Sequence, residues 1–145
     1  MDWKQNLVED EGAVLEVLRR AKRIAVLGIR PESHADKPAH AVPHYLQGHG
    51  YDIVPVSVHG EKGPILGQPV YSAVADVPGA VDVVEVFRKP EDIPAHVEDL
   101  LAKRPKVVWF QLGIRNDAVA ERLAREGIDV VQDRCLLVEI GAMRR

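Results

Sequence analysis

The chain has 145 residues, a mass of 16.1 kDa and 46% hydrophobic residues, which predicts a single domain over 1–145 with one continuous core. Charged residues make up 28% of it, both signs are interspersed and the net charge is -3, so bulk attraction to nucleic acid or to an anionic membrane is excluded as its basis of function. Cys135 is the sole cysteine, which excludes an internal disulfide and a multi-cysteine zinc or iron–sulfur centre and fits a reducing cytoplasm.

The first residues, among them Asp2, Trp3 and Lys4, carry no apolar signal-peptide region, and no apolar run nears the roughly 20 residues that span a bilayer. A soluble cytoplasmic protein is expected. Leu7, Val14, Leu15, Val17, Leu18 and Ala21 then recur at helical spacing, which predicts a leading amphipathic helix over about 7–21 ahead of a core over about 24–141. Arg19, Arg20, Lys22 and Arg23 follow it, where cations meet the negative end of a helix dipole.

Ile24, Ala25, Val26 and Leu27 form a fully apolar strand that ends in Gly28 and opens a polar loop through Ser33. A strand, a glycine and a following helix are the makings of a phosphate-binding loop, because the helix aims unpaired N–H groups at an anion. The dinucleotide fingerprint G-x-G-x-x-G would also need glycine at 30 and 33, where this chain has Arg30 and Ser33.

Four more short, β-branched runs follow: Tyr51 to Val58, Val81 to Phe87, Val107 to Leu112 and Ile128 to Val131. Their continuous apolarity predicts strands covered on both faces. Helical periodicity fills the gaps at 38–47, weakly at 72–75, at 93–102 and at 116–125, with Asn116 as N-cap and Gly127 near the C-cap of the last. Alternating strands and helices predict an α/β, Rossmann-like, doubly wound parallel sheet of five strands with helices on both faces. A final helix is expected from about Asp133.

Two prolines strain this reading. Pro43 inside the second helix predicts a kink or a start later than Pro38, and Pro55 must lie near the carboxyl end of its strand. Residues 59–68, with Gly60, Gly63, Pro64 and Gly67, make a loop long enough for a lid or a simple connector.

Ligands of open parallel sheets lie beyond the carboxyl ends of the strands. The strand tips are Gly28 to Ser33, Val56 to His59, Phe87 to Lys89 and Gln111 to Arg115. Arg30, Lys37, Arg88 and Arg115 stand near those tips, in number enough for a phosphate-rich ligand. NAD usually needs an acid about 20 residues past the glycine loop, and positions 56–59 hold none.

The segments IAVLGI, YLQGHGYDIVPV, ILGQPVY, VDVVEVFRKPEDIP, VVWFQLGIRND and DRCLLVEIG, within residues 10 to 141, resemble the stand-alone CoA-binding proteins. Those Rossmann-like domains are similar to the CoA-binding domain of the succinyl-CoA synthetase α subunit, and the likeness is to bacterial members, thermophilic ones among them. The resemblance implies coenzyme A or an acyl-CoA across the strand tips, with its phosphates on the 28–33 loop and adenine near the second and third strands. Carried over by position, the contacts are Gly28, Ile29, Arg30, Ser33, Lys37, Pro38, Val56, Ser57, Phe87 and Arg88, with Gln111 and Gly113 toward the pantetheine arm. The chain departs from the family pattern at Ala39, where serine is usual, and at Pro43.

The synthetase-type reaction needs a phosphorylated histidine in a second domain and a partner subunit, so that activity is not expected. His34, His40, His44 and His49 read as a solvent-facing side rather than as metal ligands, and Glu85, Asp133 and Glu139 form no acid–base pair that sequence can certify. Cys135 reads as a small packing residue, with a CoA-disulfide or nucleophilic role as the other possibility. A non-catalytic CoA-binding module is the first expectation. A small NAD(P)- or other nucleotide-dependent enzyme is the alternative.

Overall fold

A computed structural model of the chain describes residues 2–144. Five parallel strands, β1 (Arg23–Leu27), β2 (Asp52–Val56), β3 (Val83–Val86), β4 (Val107–Phe110) and β5 (Asp129–Val131), form one sheet in the order β2-β1-β3-β4-β5. Helices α1 (Glu11–Arg20), α2 (Pro38–Gly48) and α5 (Leu136–Met143) pack on one face around Ile24, Val26 and Trp109. Helices α3 (Val97–Lys103) and α4 (Asp117–Arg125) cover the other, over Ala25, Leu27, Val84 and Val108. The expected α/β doubly wound sheet is what forms. Both-faced burial explains the apolar runs, since every residue of β3 and β4 is buried.

Several boundaries differ from expectation. The leading helix starts at Glu11, because the Asp10 carboxylate caps it by accepting from the Ala13 amide at 2.9 Å. Leu7 and Val8 instead run beside the edge of β5, where the Val8 amide donates to Val130 at 2.9 Å. The weak helix at 72–75 is a 3₁₀ turn over Val74–Asp76 whose first amides are taken by the Asp99 carboxylate. The helix at 93–102 divides into a 3₁₀ stretch, Pro90–His96, and α3, with Pro94 interrupting the α-type pattern. The last helix begins at Leu136, later than Asp133, and Cys135 is its N-cap.

Pro55 sits next to the end of edge strand β2, with its nitrogen side facing away from β1. Its carbonyl on that outer side accepts from Tyr71 at 3.0 Å, so no ladder to β1 is lost. Helix α2 does begin at Pro38, where proline suits the first turn, and it retains Pro43. The loop of residues 59–68 is held at its far end: Leu66 donates to Glu32 at 2.8 Å and accepts from Gln47 at 2.9 Å, with Ile65 buried. No helix among the described residues is long and apolar enough to cross a membrane.

Candidate functional site

Chain order reverses across β1: the crossover through α2 leads to β2 on one side, and β3 pairs on the other. The tips of β1 and β3 therefore open a crevice. Gly28 ends β1 at φ +91, and a Cβ there would collide with the backbone carbonyl of Phe87 at the tip of β3. Only glycine lets the two tips close this far while the Gly28 amide still donates to Val56 at 3.0 Å.

A cleft of about 800 Å³ lies over these tips, a volume suited to a cofactor-sized ligand. Of the expected residues, Gly28, Arg30, Lys37, Pro38, Phe87, Arg88, Gln111 and Gly113 line it, joined by Val42, Leu112, Ile114 and Cys135 as its apolar wall. A second cleft of about 520 Å³, lined by Ser57, Val58, Glu61, Tyr71, Arg88 and His96, adjoins it. Arg88 belongs to both.

The remaining expected residues are placed differently. Ile29 and Val56 are fully buried and pack into the core on opposite faces, so only their backbones are near the site. Ser33 is exposed and its hydroxyl pairs with His34 Nδ1 at 3.1 Å, outside the wall of either cleft. Arg115 pairs with Asp117 at 3.0 Å and lies away from the cleft. Cys135, expected as packing, contributes to the core and also lines the cleft. The solvent-facing reading of the histidines fails for His40, which is 2% exposed, and for His34, whose Nε2 lies 3.1 Å from Arg30. Among the described residues, no group of three or more histidine, cysteine or carboxylate side chains is arranged to hold a metal ion.

The site is electropositive. Partial burial, with Arg30 and Arg88 nearby, lowers the pKa of His59 although Glu61 opposes the shift. Burial and then Arg88 lower His96 in the same way, and neutral His96 accepts from Arg88 Nε at 3.1 Å. Arg30 Nε is shielded from solvent and has no hydrogen-bond partner among the described residues; Glu61 stands 3.9 Å from it. An orphaned guanidinium N–H at the strand tips is a donor waiting for an anion.

Residues 22–141 match the family model described as CoA binding domain. The chain belongs to that family. Relatives of this CoA-binding domain include the uncharacterised protein YneT of Bacillus subtilis, 34% identical over 86% of this chain and 90% of YneT. A solved Thermus thermophilus structure is 36% identical with TM-score 0.87, covering 93% of this chain and 99% of that one. A Pyrococcus horikoshii structure is 34% identical with TM-score 0.83, covering 94% of each chain.

Sequence reasoning missed Glu61 in this CoA-binding domain. It found no acid at 56–59, yet the loop folds back so that the Ser57 hydroxyl donates to the Glu61 carboxylate. The pair Ser57 and Glu61, four residues apart beyond a strand end, was the available signal. It also missed Tyr71, which bridges to Val56 and extends the outer edge of β2 beside the smaller cleft.

Proposed function

We propose that this domain binds coenzyme A or an acyl-CoA across the strand tips and works as a binding module with no catalysis of its own. The adenine nucleotide end takes the smaller cleft beside Ser57 and Tyr71, and the pantetheine arm takes the larger, apolar-walled one beside Gln111, Gly113 and Leu112. Arg88 bridges the two and meets a phosphate at the junction. The observation that carries this reading is Arg88 lining both clefts, with the orphaned Arg30 Nε beside it.

One feature favours a second reading, a nicotinamide-dinucleotide enzyme: Glu61 at the tip of β2 stands where such proteins keep an acid for ribose hydroxyls. A thermal-shift panel of CoA, acetyl-CoA, NAD, NADP and ATP separates the readings. A ligand at about 100 times its dissociation constant adds about 2.7 kcal/mol, roughly 5–10 °C for a domain of this size. CoA and acetyl-CoA are expected to raise the midpoint. A rise with NAD or NADP and none with CoA overturns the proposal.

A further inference from the structure

The tip of β2 already holds an anion of its own. Ser57 is buried, donates its hydroxyl proton to Glu61 Oε2, and accepts from the amides of His59 at 3.2 Å and Glu61 at 3.3 Å. The other carboxylate oxygen lies 3.9 Å from Arg30 Nε, close enough to attract and too far to satisfy that buried donor. We propose that Glu61 is a displaceable internal anion, held on Ser57 and Arg30 until a ligand phosphate turns it out and takes its place. The inference rests on the reading of the strand-tip clefts as a nucleotide site.

The local chain is built to allow the exchange. Gly60, at φ +81, precedes Glu61 and Gly63 follows it by two residues, and neither has a heavy atom within 4 Å of where a Cβ would stand. The fixed part of the loop starts further on, where Leu66 is held by Glu32 and Gln47. A phosphate carries more acceptor oxygens than a carboxylate, and in the proposed exchange it takes both the Ser57 hydroxyl and the Arg30 Nε–H, the second of which Glu61 leaves unsatisfied. Once Glu61 leaves, Arg30 faces the newcomer without an internal carboxylate, while Arg88 keeps Asp92 at 3.9 Å.

Competition of this kind lowers apparent affinity by the fraction of molecules in which the internal contact is open. Calorimetric titration of wild type and Glu61→Gln with inorganic pyrophosphate, CoA and pantetheine reads it directly. Glutamine keeps the size and an acceptor for Ser57 while removing the charge. The variant is expected to bind pyrophosphate and CoA about tenfold more tightly, with pantetheine unchanged. Glu61→Ala should move in the same direction, which guards against the amide itself replacing the carboxylate. Equal or weaker pyrophosphate binding by both variants overturns the inference, and weaker CoA binding would assign Glu61 to ribose hydroxyls instead. Tighter pyrophosphate binding with no CoA binding by any of the proteins leaves the inference standing and removes the CoA reading. No binding of any probe removes both.

Discussion

Pro43 determines where the backbone of Arg30 is anchored. In α2 the carbonyl of Ala39 would ordinarily accept from residue 43, but proline has no N–H, and the Arg30 amide donates there instead at 3.2 Å. A defect in the helix thus becomes the tether of the phosphate-loop backbone, one residue beyond the buried Ile29. Pro43→Ala returns a competing donor to that carbonyl. Hydrogen exchange at the Arg30 amide is expected to speed up several-fold; unchanged protection would show that the tether does not depend on the proline.

Gly28→Ala forces a left-handed conformation on alanine and drives its Cβ into the Phe87 carbonyl. A loss of at least about 2 kcal/mol in urea unfolding is expected. Gly113→Ala is the control, since Gly113 has φ +85 but open space around it, and should cost only about 1 kcal/mol. Equal losses would mean that the approach of the β1 and β3 tips is not the cause.

Glu85 lies in β3 between Val26 and Trp109, fully buried, and neither carboxyl oxygen has a hydrogen-bond partner among the described residues. Burial pushes its pKa up to about 8 from an ordinary 4.5. The folded carboxyl therefore keeps a proton that the unfolded chain releases. Its favourable contribution is complete below about pH 4.5 and is lost as the pH rises through about 8. Glu85→Gln is expected to remove that part of the fall in unfolding free energy between those values. Parallel pH profiles for wild type and variant would contradict a protonated Glu85.

Arg88 is expected to read the phosphate between the clefts. Arg88→Ala should weaken CoA and dephospho-CoA alike by about 10- to 100-fold, the loss of one charge-assisted hydrogen bond to the diphosphate that both carry. A clearly smaller loss for dephospho-CoA would place Arg88 on the 3′-phosphate rather than on the phosphate between the clefts.

The five strands were readable because burial on both faces leaves short apolar runs, unbroken from Val107 to Phe110 and interrupted by Glu85 in β3. The α4 boundary was readable from Asn116, whose side chain accepts from the Val119 amide at 3.1 Å. The start of α1 was misjudged because the apolar periodicity runs on through Leu7, although Asp10 marks the cap. Pro43 was legible as a conflict, and its resolution was not, because the partner that relieves it lies across the β1–α2 connection at Arg30. Glu61 escaped because its spacing from Ser57 was the one local signal, and spacing alone does not say that residues 58–61 fold back. Ile29 and Val56 were chosen by position alone, and their side chains point into the core.

In the proposed function, one CoA molecule spans both clefts through Arg88. A crystal structure of the protein grown with CoA tests it most directly. Adenine is expected beside Ser57 and Tyr71, a phosphate on Arg88 with Arg30 Nε satisfied, and the pantetheine arm beside Gln111 and Gly113. Clefts closed by their own side chains at saturating CoA, or CoA bound away from the strand tips, would contradict it.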